Sequence, residues 1–76
     1  FDAEMVEIVA EPNALITRKP LSKLDPAYYG QIIIGAIFRE GEWRVAVGDT
    51  HIHDNERAIV VCKSLFLKDV QQLFFS

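Results

Sequence analysis

The stretch from Ile32 to Phe75 constrains the fold most, because its apolar residues change spacing in a defined order along the chain. Ile32 to Phe38 is apolar at odd and even positions alike, which is typical of a strand covered on both faces. Glu40-Gly41 then favours a tight turn, and Trp43 to Val47 returns with an apolar residue at every second position. The pattern therefore predicts a β-hairpin at the centre of the fold.

A second strand and a helix are predicted after this hairpin. Gly48-Asp49 ends the returning strand, and Asp54-Asn55 is a candidate turn. Arg57 to Lys63 reads as a further strand, continuously apolar from Ile59 to Cys62 and therefore expected in the interior. Ser64 is expected to cap the last helix, predicted over residues 67–75. Its apolar face recurs at helical spacing: Leu67, Val70, Leu73 and Phe74.

The first thirty residues predict one more strand and a short helix. Met5 to Ala10 is a short strand, and Pro12-Asn13 favours a turn after it. Pro20 opens a helical turn, which Asp25-Pro26 ends because the residue before a proline is disfavoured in the helical region. The predicted class is α+β: a small mixed or antiparallel sheet with a short helix after the first strand and a C-terminal helix.

Composition limits the function classes. Seventy-six residues support one domain, 1–76, and a chain this short buries only about 60% of its unfolded surface. The net charge is −3 and the eight Lys and Arg residues are scattered, which argues against nucleic acid as a partner. The apolar runs fall short of the ~20 residues of a membrane span. Cys62 is the single cysteine, which fits a reducing cytosol. Because the chain begins with Phe1, we expect a fragment of a longer protein.

Several of these segments together resemble a known family. From Glu7 onward the chain is similar to the C-terminal subdomain of RCK proteins, which regulate potassium conductance, and in particular to the TrkA-C type of bacterial Trk uptake regulators. Residues 19–25, KPLSKLD, match the segment before the central strand. The other points of resemblance are Ala36-Ile37, Arg39, Gly41, Gly48-Asp49-Thr50 and the apolar strand Ala58 to Val61.

The resemblance implies a non-catalytic regulatory and dimerisation domain of a Trk/Ktr-like potassium transport system. Its partner would be a membrane-embedded potassium transporter or channel subunit, reached through the parent protein. The location would be cytoplasmic, at the inner face of the cell membrane, with no direct membrane insertion. A regulatory tail of another ion or solute transporter is the alternative within the same class.

The resemblance also raises the question of a nucleotide ligand. RCK proteins bind NAD or ATP on a separate Rossmann-like subdomain with a glycine-rich turn, and this chain has no G-x-G-x-x-G. Some relatives bind cyclic di-AMP across the dimer interface through an Arg after the short helix and an Asn entering the central strand. This chain aligns Ala27 and Ile33 there, which would leave such a ligand without polar partners. We expect no cofactor, and the effector is left open.

His51-Ile52-His53-Asp54 is the one motif that suggests metal chemistry, with Glu56 nearby. On a strand both histidines would point to one face and could share a metal, as in a small metal-binding domain. A catalytic zinc needs three protein ligands and a sheltered cavity, which this short chain can hardly build. Two solvated histidines near a turn are the favoured interpretation, and no metal is expected.

No catalytic residue is predicted. Cys62 lies in an apolar strand and should be a buried, inert thiol. Ser22 and Ser64 lack the flanking glycines of a nucleophile elbow. Glu40 and Glu42 straddle a turn glycine and are expected to be solvated.

The apolar central strand predicts a homodimer. One helix can cover only one face of the sheet, and a bare second face would exceed the few hundred Å² of apolar patch usual on soluble monomers. The family resemblance implies pairing as well. The expected contact residues are Ile32, Ile34 and Phe38, with Tyr28 and Tyr29 at the rim. Periodicity alone leaves open which isoleucines face the partner.

Overall fold

The computed structural model describes residues 2–76, which form a four-stranded antiparallel sheet and one α-helix. In spatial order the strands of the sheet are Ala3–Val9 (β1), Arg57–Lys63 (β4), Ile32–Arg39 (β2) and Glu42–Val45 (β3), so β4 and β2 occupy its middle. The predicted α+β class is confirmed. The elements are β1 (Ala3–Val9), β2 (Ile32–Arg39), β3 (Glu42–Val45), β4 (Arg57–Lys63) and α1 (Leu67–Phe74), with 3₁₀ helices at Leu15–Thr17, Leu21–Lys23, Pro26–Tyr28 and Ser64–Phe66.

Left-handed residues close three of the predicted turns. Glu40 and Gly41 join β2 to β3 with φ values of +53° and +80°, as a two-residue type I′ hairpin loop requires. Asn13 and Asn55 both have φ of +67°, a conformation that asparagine tolerates better than most residues. The turn positions read from the sequence are therefore confirmed.

A bulge in β2 decides which side chains share a face of the sheet. The pairing of β2 with β4 shifts register between Ile34 and Ala36, so that strict alternation is interrupted there. As a result Ile32 lies on the same face as Ile37, and Phe38 lies on the opposite face.

The face that carries α1, hereafter the covered face, forms the hydrophobic core. Leu73 is nearly buried, and Val70 and Phe74 are fully buried, which confirms the predicted apolar stripe of the helix. The core also includes β-strand and loop residues: Ala10, Ala14, Ile16, Ile32, Ile37, Ile52, Ala58, Val60 and Cys62.

Some predicted boundaries differ from the structure for local reasons. The strand expected to run to Val47 ends at Val45, because the Val47 amide donates to the Thr50 hydroxyl at 2.9 Å and turns away from the sheet. The prediction that Ser64 caps the final helix is wrong, since α1 begins at Leu67 after a 3₁₀ turn and has no side-chain cap. The short helix after β1 consists of separate 3₁₀ turns.

No helix within residues 2–76 is long and apolar enough to cross a membrane.

Candidate interaction surfaces

A shallow groove lies between the 3₁₀ turn at Leu21–Lys23 and the start of β2. Two backbone hydrogen bonds hold the turn against the loop after β3, from Leu21 to Thr50 at 2.9 Å and from Ser22 to Gly48 at 2.6 Å. The groove has a volume of ≈ 240 Å³. It is lined by Leu21, Ser22, Leu24, Tyr29, Ile32, Ile34, Ala46, Val47 and Gly48.

The groove is suited to apolar contacts. No charged residue lines it, and Ser22 and Tyr29 are the two lining residues that have a polar group in the side chain. Tyr29 is more than half exposed at the rim. Such a mixture of aliphatic side chains and an exposed aromatic ring is common at protein interfaces.

The opposite face of the sheet carries no helix and is hereafter the open face. Four of its residues are half-buried by their neighbours: Ala36, Phe38, Ile59 and Val61. Ile33 on the same face is 60% exposed, and Met5 and Val45 on the edge strands are 72% and 80% exposed. The strand registers place the following side chains on it: Met5, Glu7, Val9, Ile33, Ala36, Phe38, Trp43, Val45, Arg57, Ile59 and Val61.

Arg57 is stacked on two aromatic rings at one end of the open face. Its guanidinium carbon lies 4.5 Å from the centroid of Phe38 and 6.0 Å from that of Trp43. The two rings contact each other edge to face at 5.2 Å. Glu7 accepts a hydrogen bond from Arg57 at 3.3 Å, so the cation is balanced within the same face. The cluster of Arg57, the two rings and Glu7 is electrically neutral.

The predicted dimer residues are divided between these two surfaces. Ile32, Ile34 and Tyr29 line the groove, whereas Phe38 belongs to the open face. Ile32 is 91% buried on the covered face and Tyr28 packs against the core. The bulge in β2 separates Ile34, on the covered face, from Phe38, on the open face. Their presence in a dimer contact stays a prediction.

The two histidines lie in the loop between β3 and β4, so they lack the strand geometry on which the metal-binding alternative depended. The rings of His51 and His53 are near each other, with centroids 5.6 Å apart. His51 is engaged elsewhere, since its Nε2 donates to the carbonyl oxygen of Thr17 at 2.6 Å. Within the described part of the chain no three His, Cys, Asp or Glu side chains are grouped to hold a metal ion.

The ion pair between Arg39 and Glu56 was not anticipated from the sequence. Arg39 donates from Nε to Oε2 at 2.6 Å and from Nη2 to Oε1 at 2.7 Å, and Nη2 also donates to the His51 carbonyl at 2.7 Å. The Glu56 carboxylate accepts the His53 amide as well, at 2.8 Å. The pair thereby fixes the loop between β3 and β4 to the end of β2.

This environment changes the pKa of both partners. The hydrogen bond from Arg39 lowers the pKa of Glu56 against the opposing effect of burial, and the His53 amide lowers it further. The hydrogen bond to Glu56 raises the pKa of Arg39. The sequence signal was the position of both residues at the facing ends of predicted strands, since Arg39 ends β2 and Glu56 directly precedes β4.

Cys62 is buried on the covered face, as predicted. Its side chain is 2% exposed, and burial raises the pKa of the thiol, with a smaller contribution from the nearby charge of Glu4. A neutral, inaccessible thiol is a poor nucleophile, so its position indicates packing rather than redox chemistry.

No family model matches this chain, and no curated protein sequence matches it. Solved structures do match. One is described as the structure of an RCK domain with cda, with a TM-score of 0.74 and 24% identity over 92% of this chain and 96% of that chain. Another is S. agalactiae BusR in complex with its busA-promoter DNA, with a TM-score of 0.75 and 17% identity.

The BusR match covers 97% of this chain but only 38% of the BusR chain. BusR is bound to DNA in that structure. This conflicts with the expectation, drawn above from charge and composition, that nucleic acid is not a partner. At these identities the likeness concerns the fold. The resemblance inferred from the sequence is confirmed at that level, and this chain has the fold of an RCK C-terminal domain.

Proposed function

We propose that this chain is a non-catalytic regulatory domain that forms a homodimer through the groove and acts in a Trk/Ktr-like potassium transport system. The observation that carries the proposal is the match to an RCK domain along nearly the whole of both chains. The domain would work at the cytoplasmic face of the membrane, beside a membrane-embedded transporter or channel subunit.

The chemistry of the groove supports pairing. Leu24, Tyr29 and Ile34 present apolar surface without a charge, and a twofold-related copy presents the same surface in return. An effector or partner that prefers one arrangement of the two copies would shift their equilibrium and pass that geometry to the transporter.

The same chemistry supports a domain without a nucleotide cofactor. Ala27 is exposed on a 3₁₀ turn and offers its amide to Asp25, at 2.9 Å, rather than to a ligand. Ile33 points to the open face, away from the groove. Neither residue gives the polar contacts that a cyclic dinucleotide requires.

Two alternatives remain for the parent protein. A regulatory tail of another ion or solute transporter would use the same pairing. The BusR structure favours a second candidate, the regulatory domain of a DNA-binding protein. The small metal-binding domain built on His51 and His53 has no support from the geometry, because His51 is held by Thr17.

A single pair of variants in the parent protein tests the proposal. Tyr29→Glu places a charge at the rim of the groove and should abolish pairing and change potassium uptake in potassium-limited cells. Leu65→Glu is the matched control, since Leu65 is 89% exposed and lies outside both surfaces. It should alter neither.

The outcomes separate the candidates. Normal potassium uptake in Tyr29→Glu cells, together with lost pairing, would rule out the transport role. Under that result, changed uptake of another solute would favour the other transporter, and changed promoter binding would favour the DNA-binding regulator. Unchanged pairing would rule out the groove as the dimer contact.

A further inference from the structure

The strap, residues 46–51, is the loop segment that follows β3 and supplies part of the groove lining. Its Gly48 carbonyl accepts the Ser22 amide at 2.6 Å, and its Thr50 carbonyl accepts the Leu21 amide at 2.9 Å. Leu21, Ser22 and Gly48 all line the groove. The position of the 3₁₀ turn Leu21–Lys23, and with it the shape of the groove, therefore depends on where the strap lies.

Hydrogen bonds rather than packing hold the strap in place. Val47 is 58% exposed, and the two residues after it are exposed as well. The strap begins where the Ala46 amide donates to the Gly35 carbonyl at 3.0 Å, and it ends next to Ile52, which is fully buried. A segment with so little buried apolar surface can move locally while the rest of the fold stays intact.

Arg39 holds the end of the strap from outside the groove. Its Nη2 donates to the His51 carbonyl at 2.7 Å, and His51 directly follows Thr50, the residue that binds the Leu21 amide. The His51 ring donates from Nε2 to the Thr17 carbonyl at 2.6 Å, which ties the same residue to the preceding 3₁₀ turn. Arg39 itself does not line the groove.

Glu56 fixes the orientation of the Arg39 guanidinium. Its carboxylate accepts from Nε at 2.6 Å and from Nη2 at 2.7 Å, and a bidentate pair of this kind restricts the planar group to one geometry. The Arg39 side chain is 26% exposed, so without the carboxylate it would be free to turn towards solvent and leave the His51 carbonyl.

We propose that Arg39 and Glu56 are positioning residues of the groove, which act through the strap to hold the 3₁₀ turn Leu21–Lys23 in place. Loss of the ion pair frees the strap and the turn while the sheet remains folded. The consequence for pairing rests on the proposed function: a copy with a freed turn must order it before two grooves can meet, and therefore pairs more weakly.

Amide hydrogen exchange measured by NMR tests the proposal on the 76-residue chain carrying Tyr29→Glu, in which pairing through the groove cannot shield the turn. Glu56→Gln should speed exchange of the Leu21 and Ser22 amides by about tenfold beyond any change in the slowest amides of the sheet, which report global unfolding. Arg39→Lys should do the same, because an ammonium cannot make the bidentate contact and reach the His51 carbonyl together.

Val60→Thr is the control for a general loss of stability. Val60 is fully buried on the covered face and contacts neither the strap nor the ion pair through a hydrogen bond. It should speed exchange of the Leu21 and Ser22 amides no more than that of the sheet amides. The comparison separates a local positioning role from a contribution to global stability.

The outcomes distinguish this proposal from the pairing itself. If Glu56→Gln and Arg39→Lys speed exchange of the Leu21 and Ser22 amides no more than that of the sheet, the positioning role is overturned, whether or not the groove pairs. If the two amides are selectively exposed, the positioning role stands. It stands as well if light scattering shows that Tyr29→Glu leaves the assembly mass unchanged, a result that removes only the pairing.

Discussion

The two faces of the sheet are built from the same strands and similar residues, yet they meet opposite environments. Val60 on the covered face is fully buried, whereas Val45 on the open face is 80% exposed. Ile32 and Ile33 are neighbours in β2, with exposures of 9% and 60%. Hydrophobicity therefore did not decide burial by itself. The helix α1 has eight residues and is about 12 Å long, so it can cover only one face.

The largest expected difference in the free energy of unfolding is between two phenylalanine substitutions at the end of α1. Phe74→Ala should destabilise the fold by about 3–5 kcal/mol, because Phe74 is fully buried and its removal leaves a cavity beneath the helix. Phe75→Ala is the matched control, since Phe75 is 44% exposed and should cost far less. Urea unfolding monitored by circular dichroism measures both. Equal losses would contradict the assignment of the core to the covered face.

The second-largest expected loss of folding stability concerns the ion pair between Arg39 and Glu56 at the end of β2. Glu56→Gln should cost about 2 kcal/mol, because it removes the carboxylate charge and turns one of the two oxygens that accept from Arg39 into an NH₂ donor, in a site where the carboxylate is only 14% exposed. Glu42→Gln is the control: Glu42 pairs with Arg44 at 2.9 Å on the exposed surface, and such pairs contribute about 0–1 kcal/mol.

Acidification should remove the stability that the ion pair between Arg39 and Glu56 contributes. The pKa of Glu56 is lowered in the folded state, so its contribution is fully present above its unfolded value and is lost as the pH falls through the folded pKa. Urea unfolding as a function of pH should show the unmodified chain losing its advantage over Glu56→Gln in that acidic range. An advantage that persists at pH values below the folded pKa would contradict the charged pair as its source.

The smallest expected effect is a polar substitution on the open face. Val45→Thr should change the stability of a separate chain by less than about 0.5 kcal/mol, whereas Val60→Thr should cost about 1–2 kcal/mol by burying a hydroxyl on the covered face. Urea unfolding at several protein concentrations measures both. A loss for Val45→Thr that grows with protein concentration would show that a second copy covers the open face.

The elements were predictable because local spacing determines them. Arg57–Lys63 was predicted with the observed bounds, and the apolar stripe of α1 identified its buried residues. Glu40-Gly41 marked the hairpin correctly. The groove was not predictable, since its lining comes from a 3₁₀ turn, β2 and the loop after β3, which are brought together only by folding. The Arg39–Glu56 pair joins two residues seventeen positions apart and was missed for the same reason.

The sequence by itself therefore determined the strands, the hairpin, the final helix and the resemblance to an RCK C-terminal domain, because each depends on residues close together in the chain. The tertiary structure alone decided which residues share a surface. The shift between Ile34 and Ala36 moves Phe38 to the open face, and a change of one residue in register reverses every side chain that follows. Alternation along a strand predicts a face only where pairing with the neighbouring strand is unbroken, and that pairing is a long-range property of the fold.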